Sequence, residues 1–303
     1  MTRNFLALVL GCAAAIGSAV APGIAVAQAT GRAPASGAAL SDPEPWRFNA
    51  ALYGWAMSVS STMTVRNQTL DTNASFLDLM QKSDSLIGFM GYFEANKGSV
   101  GVFADLVFAK LGFAAAQTNY RNPIAGLKIS TSANAALTYD LFIVQVGGLY
   151  ELHRWPGAEG SSTALDGLLA FRYWNNSFDA TFDATANVNF TNLKLERSFG
   201  IATARSNVVQ WVDPVLGLRL RHQFTPNQQI FVQGDIGGFG LGSQFSWQAV
   251  GAYSYSWQFA GYQVAALLGF RALAVNYTQG SGGDFFGMNQ ILYGPIIGVS
   301  FRF

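Results

Sequence analysis

Side chains equipped for chemistry are few in this chain. Its 303 residues include two histidines, His153 and His222, and one cysteine, Cys12. A serine activated by a histidine needs that base within hydrogen-bond reach. Here His153 directly precedes the turn stretch 154–160 and His222 lies just ahead of Thr225-Pro-Asn227, so both are expected at rims of the fold, away from any pocket. Two histidines without a cysteine partner are too few for a zinc site. The run "GGFGLG" (237–242) has the glycines of a phosphate loop but neither its lysine nor a strand-to-helix setting, and reads as a tight turn. No catalytic residue, metal ligand or cofactor is therefore assigned, and the chain is not expected to be an enzyme.

A larger set of polar side chains shares a pattern. In 207–223, Val212, Pro214, Leu216, Leu218 and Leu220 occupy one parity and Asp213, Gly217, Arg219, Arg221 and Gln223 the other. In 229–237, Ile230, Val232 and Ile236 oppose Gln229, Gln233 and Asp235. A period of two is that of a strand with two unlike faces. Carried through the chain, it puts the acids Glu94, Asp105, Glu151, Asp166, Asp213 and Asp235 on the same face as the bases Arg47, Arg172, Arg219, Arg221, Arg271 and Arg302. Six acids against six arginines make a balanced set. Either they pair and stiffen a filled interior, or they line a narrow selective pore.

The elements that must position this set are strands. Ten alternating segments fall at about 46–57, 85–95, 99–112, 137–153, 163–176, 207–223, 229–239, 243–256, 262–278 and 288–303. Short turn signals join them at Asn96-Lys-Gly98, 154–160, Thr225-Pro-Asn227 and Gln258-Phe-Ala-Gly261. The other connections, 58–84, 113–136, 177–206 and 279–287, are long or glycine-rich, with 240–242 short. Short turns at one end and long loops at the other mark a membrane barrel. Residues 178–191 also alternate, and 58–72 and 127–135 raise the same question, so the count lies between eight and twelve. Residues 76–80 have helical spacing.

Composition agrees: 50% hydrophobic and 14% aromatic, but only 12% charged, about half the charge of a soluble domain. No mature segment reaches the ~18 apolar residues of a spanning helix, which leaves a closed barrel as the way to cross a bilayer. Residues 1–27 read as a cleaved signal peptide, basic at Arg3, apolar over 5–26 and ending in Ala25-Val26-Ala27. An inner-membrane anchor and lipidation at Cys12 are the rivals. Residues 28–45 form a flexible leader, and 46–303 one barrel domain. A net charge of +1 with no basic block gives no reason to expect nucleic acid.

The stretches "WVDPVLGLRLRHQF" (211–224), "GDIGGFGLGSQFSWQA" (234–249) and "YGPIIGVSFRF" (293–303) resemble the C-terminal half of uncharacterised outer-membrane β-barrel proteins of Gram-negative bacteria, small and porin-like. The resemblance covers mostly 207–303 and more loosely 85–112. It implies an all-β, closed antiparallel transmembrane barrel of about ten strands in the bacterial outer membrane, in contact with its lipid. It also implies that Phe303 is the signal read by the barrel-assembly machinery, with periplasmic chaperones as partners on the way. A structural envelope role or narrow passive permeation is expected. The alternatives are a surface protein whose loops bind an unknown ligand or adhere, and a lipid-modifying enzyme. In each case ions and amides are expected inside and apolar side chains outside.

Overall fold

The alternating segments are joined into one hydrogen-bonded sheet. The structure, a computed structural model, describes residues 44–65, 68–124, 127–190, 195–282 and 285–303. Ala25, Ala27, Cys12 and nearly all of the leader lie outside the described residues. In chain order the elements are β1 (Arg47–Trp55), β2 (Ser58–Val65), β3 (Gln68–Ala74), helix α1 (Phe76–Lys82), β4 (Ser85–Lys97), β5 (Val100–Ile124), β6 (Leu127–Pro156), β7 (Ser162–Phe190), β8 (Leu195–Thr225), β9 (Gln228–Gly237), β10 (Phe245–Phe259), β11 (Tyr262–Gln279) and β12 (Phe286–Arg302). Neighbours run antiparallel in the order β1, β4 through β12, and β1 pairs back with β12. Ten strands thus close a barrel, and β2 and β3 are an additional hairpin on the same sheet.

Closure has a local break. β1 follows β12 from Asn49 opposite Arg302 to Trp55 opposite Ile296, and the chain then steps aside at Ala56 and Met57. The Ala56 amide donates to the Pro295 carbonyl at 2.9 Å, and pairing resumes as β2 against the upper part of β12. Gly294 stands opposite this break. Its φ of 158° and the 2.9 Å that would separate a β-carbon from the Ala56 carbonyl carbon explain the absence of a side chain there.

Residues 113–124, 127–136 and 177–206 are mostly strand, where the turn-and-loop pattern suggested long loops. They prolong β5 through β8 as two tall hairpins and add no strand to the barrel. At ~3.3 Å per residue, the 29 residues of β7 extend far beyond the ~9–11 that a tilted strand needs to cross a bilayer. β4 pairs with β5 only as far as Gly112, and β9 pairs with β8 only from Val215, so four strands stand above the rim together. α1 begins with a capping box: the Ser75 hydroxyl accepts from the Asp78 amide at 3.1 Å while Asp78 accepts from the Ser75 amide at 3.2 Å.

Parity sorts the wall as expected on the outside. Leu169, Phe171, Val212, Leu216, Leu218, Val232, Leu268 and Ile297 are exposed outward over the middle of the barrel. The inside departs from expectation. Ions occupy its lower part, towards the short turns, but the upper part is mainly apolar: Val107, Leu141, Ile143, Trp174, Leu273 and Leu292 are all buried there, Leu79 of α1 joins them, and Tyr139, Asn176 and Gln290 form a small hydrogen-bonded group beside them. Aromatic rings cross the bore, Trp174 stacking on Trp211 at 5.4 Å and Trp211 on Tyr277, from the opposite wall, at 4.1 Å.

A bore this narrow demands close strand contacts on its concave face. A β-carbon on inward-facing Gly269 would lie 2.6 Å from that of Ala252, and one on Gly298 would lie 2.6 Å from that of Tyr53. Gly234, outward-facing, has nothing nearer than 4.0 Å. Gly269→Val should therefore cost ~1–3 kcal/mol or more, by overpacking, whereas Gly234→Ala should stay within ~0.5 kcal/mol. Urea unfolding followed by the band shift of unheated protein on gels reads the difference.

Candidate functional site

The inward polar residues meet along rows that the strand register sets. Asp105 stands opposite Gln145, Gln145 opposite Arg172, and Arg172 opposite Asp213, so one row crosses β5 to β8. A second row, nearer the short turns, runs Glu151, Asp166, Arg219, Gln233. Side chains from these rows reach β1, β4, β9 and β11, and Gln248 of β10 joins them through Asp235 and Arg271.

The second row forms the lower cluster. Arg219 donates to both oxygens of Glu94, at 2.6 and 3.0 Å, and through Nε to Asp166 at 2.9 Å. Arg221 grips Asp166 with two bonds of 2.7 Å and reaches Glu151 at 3.1 Å. Tyr92 donates to Glu94, and Asn96 donates to it at 2.7 Å. Arg154, placed by sequence in the turn, joins through Glu151, its Nε donating at 2.8 Å.

Above it the charges are more deeply buried. Arg172 donates to Asp235 at 2.6 Å, both side chains without solvent exposure, and to the Gln145 carbonyl oxygen at 2.8 Å. Arg271 pairs with Asp105 at 2.7 Å, donates to Gln248 at 2.6 Å and to the Tyr53 hydroxyl at 2.6 Å, and lies 5.1 Å from the centre of the Trp55 ring. Gln248 in turn donates to Asp235 at 3.0 Å, linking the two pairs. A forked guanidinium offers five donors, and neutral amides and hydroxyls share them out among the acids.

Three of the twelve charges stand apart from the ion pairs. Asp213 accepts from Trp174 Nε1 at 3.0 Å, the Ser243 amide at 2.6 Å and the Ser243 hydroxyl at 2.9 Å, and so anchors the loop between β9 and β10. That loop carries the "GGFGLG" turn, with Phe239 at φ 51° and Leu241 81% exposed at its tip. Arg302 donates only to Gln229, at 3.0 Å, and Arg47 has no bonded partner among the described residues. The connectors Tyr53, Tyr92, Gln145 and Gln248 were not singled out by charge counting. Their inward parity is the signal that could have found them.

His222 Nδ1 hydrogen-bonds the Thr163 hydroxyl at 2.8 Å, and His153 meets the Trp155 ring edge-on at 4.5 Å. Both lie at the short-turn ends of β8 and β6. The charge rows line a cavity of about 680 Å³ that opens downward, bordered at its mouth by Gly98, Ser99, Phe259, Gly261, Tyr262 and Phe303 of the short-turn end. Such a volume falls within the ~300–1,000 Å³ of small-molecule sites.

No protein-family model and no curated protein matches the chain. Among solved structures it is similar to Ail, the attachment invasion locus protein of Yersinia pestis, in complex with the heparin analogue sucrose octasulfate, at 12% identity and a TM-score of 0.30, over 86% of this chain and 99% of that one. The translocator domain of the autotransporter NalP from Neisseria meningitidis gives 11% identity and a TM-score of 0.30, over 87% and 91%. A FadL homologue of Pseudomonas aeruginosa gives 5% and 0.26, over 86% and 90%. Likeness this slight adds nothing to the strand ladders, which establish the barrel by themselves.

Breaking one member of the deepest pair tests the cluster. Arg172→Leu leaves Asp235 buried without its cation and should lower unfolding stability by ~3–5 kcal/mol. Adding Asp235→Asn should recover a good part of that loss, since the amide carries no charge to strand. Urea titration of tryptophan fluorescence in detergent micelles would measure both.

Proposed function

We propose that this chain is an integral outer-membrane barrel of a Gram-negative bacterium whose lumen is closed to passage, serving the envelope as a structural component and not as a pore or an enzyme. The exterior supports the membrane part of the reading. Along β8 the outward apolar run spans Val212 to Leu220, the ~9–11 residues of a tilted transmembrane strand. Exposed aromatics such as Trp257, Phe259, Tyr262 and Phe303 gather towards the short-turn end, as in an interfacial girdle. On this reading the short turns are periplasmic and the tall hairpins extracellular.

The observation that carries closure is the packed upper lumen. A ten-stranded bore lies near the size that side chains fill. Here Leu141, Trp174, Leu273 and Leu292, from four different strands, have no solvent exposure. A file of water or ions would have to displace that core. Planar-bilayer recording of the refolded protein should therefore show no unitary conductance across a range of voltage and salt. Steady channel currents, reduced when Arg219 or Arg221 is neutralised, would replace this reading with a selective pore.

Phe303 fits the assembly role. Its amide donates to the Phe48 carbonyl at 3.1 Å and its carbonyl accepts from the Phe48 amide at 2.8 Å, while its ring stacks on Phe48 at 5.6 Å and stays exposed. Closure and an accessible aromatic thus coincide in one residue, ready for barrel-assembly machinery after handover from periplasmic chaperones. Deletion of Phe303 should lower outer-membrane yield several-fold without reducing export to the periplasm. Unchanged yield, read by membrane fractionation, would remove this role.

A further inference from the structure

The chamber that the charge rows line has a surplus of positive charge and two unlike walls. Its four lining carboxylates, Glu94, Asp105, Glu151 and Asp166, are each already bridged by an arginine. Arg47 and Arg302 line the same chamber and belong to no ion pair among the described residues. They are also neighbours. Arg302 stands opposite Asn49 across β12 and β1, and Arg47 follows on the same inward face of β1 two residues nearer the mouth, the diagonal position at ~7–8 Å. Arg302 is held by Gln229 and spends one nitrogen there, leaving donors of its fork free.

Inward from this pair one side of the wall is apolar, beside the polar Asn49, Ser254 and Ser300. On β11 the inward face climbs from Gln263, opposite Arg302, through Ala265 to Leu267. Phe231 of β9, Val250 of β10 and Ile296 of β12 complete it. Charge surplus at the mouth and hydrocarbon beyond are complementary to a molecule with an anionic head and a short apolar body. We propose that the chamber is a binding site for amphipathic monocarboxylates, with the carboxylate on Arg47 and Arg302 and the body against Leu267, Val250 and Phe231. Entry is from the short-turn end, and the ligand does not pass through. Planar forks suit a carboxylate because they donate two parallel bonds.

The test uses the full barrel in lipid nanodiscs, titrated calorimetrically with 4-phenylbutanoate, against empty nanodiscs as background. Saturable binding is expected, with 4-phenylbutan-1-ol weaker by roughly tenfold or more, the value of a charge-assisted contact. Inorganic phosphate at matching concentration should not compete. Arg302→Gln and Arg47→Gln should each weaken binding by about tenfold, and Leu267→Gln should weaken it as well. Lys110→Gln, on the outward face and half-exposed, should leave it unchanged. Band-shift migration of each variant verifies that it is folded; should Arg302→Gln fail to fold, Arg47→Gln alone decides. Absence of saturable binding, equal binding of the alcohol, full competition by phosphate, or indifference to the folded arginine variants would each overturn the proposal. Conductance plays no part in these readouts, so a conducting barrel would sink the closed-lumen reading and leave this one to stand or fall on binding.

Discussion

Everything in this molecule follows from one hydrogen-bonded ladder that returns to its first strand. Pairing of β1 with β12 closes the ten-stranded wall on itself, so its backbone amides and carbonyls are satisfied there without water, while among the described residues free edges remain on β3 and on the strands that rise above the rim. Closure also divides side chains between two surfaces by parity alone. Ten strands make a narrow circle, whose inward set packs against itself over the upper part and leaves a chamber below. Gly269 and Gly298, each without room for a β-carbon, mark where opposite demands of curvature and pairing meet. At Ala56 the ladder gives way on one side only: β12 runs on unbroken, with β2 taking the place of β1 beside it and β3, not β4, on its far side.

Two different materials fill the circle. Stacked Trp174, Trp211 and Tyr277 close the upper part by ring packing, with Trp174 Nε1 donating to Asp213 and the Tyr277 hydroxyl to Gln279. The lower part is ionic, and there desolvation would cost several kcal/mol per ion if any were left alone. Arg172 with Asp235 shows how most of that cost is met: the pair is dry, Gln145 accepts from Arg172 and Gln248 donates to Asp235, while Nη1 of Arg172 is buried without a hydrogen-bond partner among the described residues. Tyr53 does the same service between Arg271 and Asp105, accepting from one and donating to the other. Neutral hydrogen-bonding side chains are thus as necessary to the cluster as the charges.

Much of this was legible in the sequence, for a definite reason. Where one face meets hydrocarbon and the other holds ions, as in 212–221, alternation is stark and assigns each residue a side. Legibility fails where both faces are of one kind. Residues 106–108 and 141–144 are apolar throughout, so although the parity of Asp105 and Gln145 turns Val107, Leu141 and Ile143 inward, no contrast between the two faces signals that they form an apolar core. The tall hairpins fail in another way: small and polar residues dominate 129–136, and 178–190 alternate but lie beyond the length that a bilayer needs, so the pattern does not tell a prolonged strand from a loop or an added hairpin. Asp213 shows a third limit. Its register neighbour is Arg172, but the fork of Arg172 reaches Asp235, and Asp213 turns to the backbone of a loop thirty residues on.

The uneven filling makes the two ends of the barrel physically unlike. An apolar plug tolerates no unpaired charge, and inside it none is found among the described residues. At the other end water reaches the chamber, and a charge there keeps part of its hydration. Arg47, exposed at the mouth, can remain without a carboxylate at little cost, as could not happen at the depth of Arg172. Surplus charge is therefore placed where the fold can carry it and where a solute can meet it. A chamber open on one side, closed by stacked rings on the other, and lined by both arginine and hydrocarbon is the physical basis of the proposed carboxylate site.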